Sequence, residues 1–516
     1  MRPDGRGFPV RRSLYLSLAR PSLLLSLASL ILHLLANGHY GFFRDELYFI
    51  VCGSRPAFGY VDQPPVVPLL AAWAHALFGD SVLGFRLLPA LVVSATVGLT
   101  AEFSRLIGGN RFAQWLAGAC VLLGPIFLTD GVLFSTDMFQ ALTWLALGWV
   151  LVRLEQTGDE RWWLAFGAIA GFSLETKYLI AFYLATLAVG LLATPQRRSL
   201  MRPWLYLGAL LAGLMVLPNL LWQHAHGWPF IELGKAGAGG KNVVMPLRSF
   251  FLNQFMLTGP LPGVVWLAGL WAGIVRPRLA VARAFPIAWL VLLLVFDYSH
   301  GKDYYVASIY PTLLAFGAVR IERWVENAIA RGAALAAVVI LGAVGVPLAL
   351  PILPVDTLIR YQSALGIMPA SSGEHRKVAA LSQYYADMFG WREMARKVAA
   401  VYESLPPQDR ARAVFFGNNY GEAAAIDVFG RSLGLPPAIS GHNNYYLWGP
   451  RGHDGSVIII LGGSTRHYAD LFRSFEVVGR ITNPYAMPDE TDMPIYVLRG
   501  MKVPLGQYWP QTKSYN

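Results

Sequence analysis

The sequence predicts a polytopic α-helical membrane unit over residues 1–354 and an extracytoplasmic α/β domain over residues 355–516. Three observations carry that fold class. Hydrophobic residues make up 55% of the 516-residue chain and charged residues only 14%, with mean hydropathy +0.44, too apolar for a water-soluble globule of this length. Apolar runs of about 17 to 22 residues, the length that crosses a bilayer as a helix, recur along the first two-thirds. The 16 Trp and the 13% aromatic content suit the belts that form at membrane interfaces.

Taken in order, the runs predict about eleven spans near 21–38, 82–104, 112–128, 132–152, 161–175, 178–194, 203–222, 255–275, 284–298, 304–319 and 332–351, with boundaries good to about four residues. Alternate loops carry the basic residues: Arg11, Arg12 and Arg20; Arg105 and Arg111; Arg153 and Arg161; Arg197, Arg198 and Arg202; Arg276, Arg278 and Arg283; Arg320, Arg323 and Arg331. The positive-inside rule then puts the N-terminus in the cytoplasm of an inner (cell) membrane protein. An odd number of crossings puts everything after about Pro354 outside, together with the loop that holds Asp45. The net charge of +11 is orientation signalling in short loops, so nucleic acid is excluded as a partner. The first run resembles a signal peptide in its basic start and Leu-rich core, but Ala36-Asn37-Gly38 is no clean small-x-small cleavage site, and the run reads as an uncleaved anchor.

Cys52 and Cys120 sit at different predicted depths without metal-type spacing and read as small apolar filler. Beyond Val355 the apolar runs shorten and charge mixes in. Lys377 to Leu405 reads as an amphipathic helix and GEAAAIDVFGRSLG as another, while ARAVFFGNNY, GSVIIILGG, FEVVGRI and PIYVLRG each contain a strand. GNNYGEAAAI runs from strand into helix, the position of an anion site at a helix N-terminus or of a plain turn. HNNYYLWG, His442 to Gly449, concentrates aromatic and amide groups suited to sugar or to an interface.

Function is concentrated at the outer ends of the spans. The first external loop holds GFFRDELYF, with Arg44, Asp45, Glu46 and Tyr48, and then Tyr60 and Asp62-Gln63-Pro64-Pro65. FSTDMF places Asp137 about one turn inside the fourth run, SLETKYL puts Glu175 and Lys177 at a junction, and SHGKDYYVASIYP supplies His300, Lys302, Asp303, Tyr304 and Tyr305. Each has a bland counterpart: an interfacial salt bridge, a helix cap, snorkelling lysines, belt tyrosines. Four such clusters facing one compartment favour chemistry, because charge at the edge of hydrocarbon is costly.

The order RDELYF, DQPPVVPLL, GFRLLPAL, STDMF, ETKYL and GKDYYVASIYP resembles the GT-C superfamily of polyprenyl-phosphate-sugar-dependent glycosyltransferases over about residues 40 to 320. More narrowly, it is similar to bacterial relatives of the dolichyl-phosphate-mannose protein mannosyltransferases and of the lipid A aminoarabinose transferase. The resemblance implies a polyprenyl-phosphate sugar donor, a lipid, glycan or protein acceptor and transfer with inversion. It makes Asp45 the first-loop acid with Glu46 its usual neighbour and Asp137 a second cavity acid. Lys177, Lys302 and Tyr305 become candidate contacts of the lipid phosphate. Asp62-Gln63-Pro64-Pro65 aligns with a motif in which relatives carry a basic residue where Gln63 stands, and Asp62, Gln63 and Tyr304 are candidate substrate contacts. Some relatives hold a divalent metal, for which Asp62 with His224 or His226 are weak candidates here, without supporting spacing.

The residue types also suit the chemistry directly. A carboxylate takes the proton of an acceptor hydroxyl as the anomeric bond breaks, the task expected of Asp45. The transition state has oxocarbenium character, so Asp137 is placed to hold the acceptor or the sugar ring. Lys302, Lys177, Arg86, Arg44 and a tyrosine hydroxyl answer the charge that grows on the departing phosphate. A transporter or lipid flippase that uses the acids as ion or proton sites is the alternative, and it predicts paired broken helices and an internal repeat. A noncatalytic scaffold presenting the external domain leaves the ordered charges unexplained.

Overall fold

A computed structural model describes residues 20–237, 239, 242–275, 277–369 and 374–516, so Arg11, Arg12 and Arg276 of the predicted basic loops lie outside the described residues. The chain is a polytopic helical membrane protein. Leu87–Leu106, Pro203–Ala225, Ala280–Tyr298 and Ala328–Ala349 are each long and apolar enough to cross a bilayer. Five shorter apolar helices, Pro21–Ala36, Val66–Phe78, Arg111–Leu123, Trp162–Leu174 and Ile180–Leu192, add to them. At 13 to 16 residues these rise only ~20–24 Å, less than the ~30 Å hydrocarbon core.

Several predicted runs come out differently: that near 112–128 stops at Leu123 and resumes at Pro125, and that near 304–319 opens as a 3-10 helix, Asp303–Ile309, before Tyr310–Trp324. The run expected as one span near 255–275 is a bent pair, Leu247–Thr258 and Pro260–Ile274, at 112°. Gly259 at the break has φ 94°, a conformation open to glycine, and Pro260 starts the second helix where its missing N–H costs nothing. The run near 82–104 is broken at Arg86, between Val82–Phe85 and Leu87–Leu106. The fourth run begins only at Gln140, because 131–139 is built of turns, so Asp137 lies before the helix rather than one turn inside it. Val66–Phe78 is a further helix, outside the runs predicted above.

Small residues set the close helix crossings. A Cβ on Gly167 would lie 2.0 Å from the Gly208 carbonyl oxygen, and one on Gly317 would lie 1.8 Å from that of Val265. Backbones approach this closely only where side chains are absent, which recovers dispersion contact that lipid cannot supply. The buried core that follows runs through Val97, Trp144, Trp266, Phe285 and Tyr310, with Trp144 stacked on Tyr183 at 4.1 Å between ring centroids.

After Val355 the chain forms Val355–Ala364, Trp391–Ser404 and a four-stranded sheet in the order β1-β2-β4-β3, with β1 Ala413–Phe416, β2 Val457–Leu461, β3 Phe472–Ile481 and β4 Met493–Met501. β1 and β2 are parallel, and the other two pairings are antiparallel. Alternate residues divide the two sheet faces, as strand geometry requires. Phe415, Ile459 and Val497 join a core with Met394 and Val398, and that same core takes in Leu47, Phe49, Ile50 and Val51 of the first-loop helix Arg44–Gly53. Val414, Ile458, Ile460 and Leu498 build a second cluster on the opposite face.

Candidate active site

Arg44–Gly53 begins with its acids in the first turn, where unpaired backbone N–H groups favour negative charge. The two acids have different surroundings. Glu46 is fully buried and accepts four hydrogen bonds: from Arg86 Nε and Nη2 at 2.9 and 2.8 Å, from the Phe43 N–H at 2.8 Å and from the Phe134 N–H at 3.0 Å. The pair ties the start of the loop helix to the break before Leu87–Leu106 and to the turns ahead of Asp137. Arg86 is likewise 0% exposed and also holds the Gly41 carbonyl at 2.8 Å. Both side chains are therefore buried and fix the loop, where catalytic support from Glu46 and phosphate contact from Arg86 are expected from the sequence; among the described residues Arg86 Nη1 has no hydrogen-bond partner. Sequence adjacency could not separate the acids, because the partner that buries Glu46 lies 40 residues away.

Asp45 is 35% exposed. Its Oδ1 accepts from the Tyr420 hydroxyl at 2.8 Å and from Arg44 Nε at 3.4 Å, and among the described residues nothing donates to Oδ2. Arg44 lies over the Tyr420 ring at 5.2 Å and reaches Asp387 at 3.9 Å, so it too is engaged by protein groups. Tyr420 comes from the turn after β1. Asn419 caps that turn by accepting the Glu422 N–H at 3.0 Å, and Asn418 is bonded to Glu422, so GNNYGEAAAI delivers a tyrosine to Asp45 and is no anion cradle.

Asp137 receives Lys177 Nζ at 2.6 Å on both oxygens, with the two side chains 27% and 19% exposed. The ammonium lies 5.2 Å from the Tyr305 ring centre. Lys302 pairs with Glu374 at 2.8 Å and stands 5.8 Å from the Tyr304 ring. Burial opposes its charge, but Tyr305 and Glu374 outweigh burial and hold its pKa above the ordinary lysine value. Asp45 is within electrostatic reach of Lys302 and Tyr304, and Tyr304 is within reach of Asp137. Asp45, Asp137, Lys177, Lys302, Tyr304 and Tyr305 thus converge at one end of the helix bundle. Asp130, within reach of Asp137 and Lys177, joins them and was not anticipated; neither were Tyr420, Glu374 and Asp387.

The DQPP segment does something else. Asp62 accepts from the Tyr48 hydroxyl at 3.0 Å and from Asn443 at 3.5 Å; Asn444 receives the Val61 N–H at 2.9 Å and gives its own N–H to Tyr48 at 3.1 Å. HNNYYLWG is therefore the clasp between the sheet and the first loop. Gln63 is 1% exposed beside Cys52, so the expected substrate contact is buried. His226 bonds the Trp222 carbonyl at 2.8 Å and His224 packs against Trp228. Among the described residues no group of three or more His, Cys, Asp or Glu is arranged to hold a metal ion, so the proposed set of Asp62 with a histidine does not fit one. Cys52 and Cys120 are buried and free.

A family model described as dolichyl-phosphate-mannose-protein mannosyltransferase matches residues 62–222, which include Asp137 and Lys177 but begin after Asp45. The lipid A galacturonosyltransferase RgtD of Rhizobium johnstonii is 26% identical over 277 residues, 51% of this chain and 56% of that protein. The polyprenol-phosphate-mannose–protein mannosyltransferase of Corynebacterium glutamicum is 24% identical over 26% of this chain and 30% of its own length. The matches thus span about half of the first relative and less than a third of the second. Among solved structures, ArnT from Cupriavidus metallidurans bound to undecaprenyl phosphate superimposes with a TM-score of 0.62 at 16% identity, covering 92% of this chain and 97% of that one.

Proposed function

We infer that this chain, a relative of the GT-C glycosyltransferases of the protein mannosyltransferase and ArnT type, transfers a sugar from a polyprenyl phosphate to an acceptor hydroxyl at the extracytoplasmic face of the membrane. The observation that carries the reading is the environment of Asp45: one carboxylate oxygen is tethered by Tyr420 and Arg44, the other has no protein donor among the described residues, and two lysines stand within the same cluster. A base must be held still and still present a lone pair to its substrate. The acceptor oxygen attacks the anomeric carbon, Asp45 Oδ2 takes its proton, and the bonding electrons of the departing C–O bond pass to the phosphate. A single displacement of this kind inverts the anomeric centre.

Lys177 and Lys302 are both neutralised by carboxylates, Asp137 and Glu374. We assign these acids the task of holding the cations at the cavity until the donor phosphate arrives and competes for them, after which the lysines stabilise the charge on the leaving group. Residues 1–354 then form the transferase unit and 355–516 an outer domain clasped over its first loop, with the N-terminus cytoplasmic. The acceptor is lipid, glycan or protein. The bent pair offers little to the transporter reading, because Asn253 to Val264, which brackets the break, contains no charged residue.

The experiment is transfer from radiolabelled polyprenyl-phosphate sugars by the full chain in lipid nanodiscs, using a panel of donors and envelope acceptors, for wild type and Asp45→Asn. Transfer by wild type that falls at least about a hundredfold in Asp45→Asn, with folding intact, is expected. Transfer at the wild-type rate in the variant removes Asp45 as the base, and absence of transfer with the whole panel sinks the enzyme reading.

A further inference from the structure

We propose that the C-terminal α/β unit holds a second ligand site, separate from the charged cluster, that binds a neutral saccharide. A pocket of about 340 Å³ opens on the sheet face turned away from the first-loop helix. Its floor is Ile458, Ile460 and Leu498. Its rim is formed by Asn418, Ser464, His467, Tyr508 and Gln511. The volume falls within the range of small-molecule sites. The place also fits: the pocket reaches the carboxyl ends of the parallel pair β1 and β2, and in open α/β sheets ligands bind outside those ends.

The turn after β2 keeps the mouth open. Gly462 and Gly463 have φ of 57° and 86°, and a Cβ on Gly463 would lie 1.9 Å from the Tyr468 hydroxyl, which donates to the Gly462 carbonyl at 2.8 Å. Asn418 Nδ2 bridges to the Leu461 carbonyl at 2.8 Å and fixes the ends of the two strands together.

The lining decides the ligand class. Among the pocket residues there is no carboxylate, ammonium or guanidinium, so no charged group is matched there. The rim instead offers amide, hydroxyl and imidazole groups, and among the described residues the side chains of Ser464 and Gln511 form no hydrogen bond of their own. An apolar floor beneath a ring of neutral donors and acceptors suits the apolar face and hydroxyl edges of a sugar ring. A lipid chain would call for the opposite. The groove between Leu116, Leu261, Trp271 and Val338 on the helical unit, of about 560 Å³ and almost wholly apolar, has that character, and the contrast separates the two chemistries. The site stands on its own geometry, independent of sugar transfer at Asp45.

The test uses the full chain in phosphatidylcholine nanodiscs free of sugar detergents, with ligand-observed NMR and calorimetry. Methyl α-mannopyranoside, lactose and maltose serve as neutral probes, galacturonate as a charged probe and hexanol as an apolar one. The expected result is saturable binding of at least one neutral saccharide, weakened roughly tenfold, the scale of one lost hydrogen bond, in Gln511→Ala and in Tyr508→Ala, and retained in Asp45→Asn. Gln511 is exposed, so its variant keeps the test valid if Tyr508→Ala fails to fold. Binding of no neutral saccharide, preference for hexanol or galacturonate, indifference to the pocket variants, or loss in Asp45→Asn would each overturn the assignment.

Discussion

Replacing Arg86 with Met removes the cation from a carboxylate that cannot reach water. Glu46 then keeps two of its four donors, the Phe43 and Phe134 N–H groups, and loses the two charge-assisted ones. Breaking one side of a buried pair costs about 3–5 kcal/mol, because the remaining charge is stranded. That is more than a hundredfold in the folded-to-unfolded ratio, at about 1.4 kcal/mol per factor of ten. The assay is equilibrium unfolding of the full chain in mixed micelles by SDS titration, followed by Trp fluorescence. Arg86→Met is expected to lose that stability, and Glu46→Gln with Arg86→Met to regain most of it, since a neutral replacement of both partners leaves no stranded charge. Wild-type stability in Arg86→Met, combined with weaker donor binding, would refute the reasoning and return Arg86 to the lipid phosphate.

Further outcomes are expected elsewhere. Lys177→Met is expected to lower transfer about 10²- to 10³-fold, the range for removing one group that stabilises a developing anion, and unchanged single-turnover rates with saturating donor would exclude Lys177 from that role. In Glu374→Gln, Lys302 loses its carboxylate and the donor no longer has to displace it, so the donor KM is expected to fall; a raised KM would count against the competition described above. Burial pushes Glu422 up to about 7, and burial together with Glu422 raises Glu490. Between about pH 4.5 and 7 the folded state therefore binds more protons than the unfolded one, so stability falls as pH rises through this window. Hydrogen exchange of β1 and of Tyr420–Ala425, corrected for intrinsic rates, is expected to show protection decreasing from pH 5 to pH 8 in wild type and a flatter profile in Glu422→Gln. Gly317→Val drives side-chain atoms into the Val265 carbonyl and is expected to reduce the yield of folded protein, as measured by size-exclusion chromatography.

The parts of this molecule that could be read from sequence are those where one residue type is rare against its background. In a chain this apolar, Asp45, Asp137, Lys177 and Lys302 stand out at the ends of hydrophobic runs, and they do gather in one place. The four strands were legible because short β-branched and aromatic segments are bounded there by turns. Partnerships across the chain were not legible. Tyr420 reaches Asp45 over 375 positions, and nothing in GNNYGEAAAI distinguishes a tyrosine aimed at a carboxylate from a plain turn. Lys302 finds Glu374 in the same way, from 72 positions off. The break at Gly259-Pro260 was signalled by the dipeptide itself, but the unbroken hydrophobicity around it favoured a single span.

The core shared by the first-loop helix and the sheet has a consequence for anyone wishing to redesign this molecule. Leu47, Phe49, Ile50 and Val51 lose the part of their packing that comes from the sheet side if the chain is cut after Leu353, and Asp45 loses its tether to Tyr420 in the same stroke. The unit that can be exchanged between relatives is therefore discontinuous: the loop carrying Asp45 and the segment from Val355 to Asn516 must be transplanted as a matched set, together with Arg86 and the turn at Phe134 that hold Glu46.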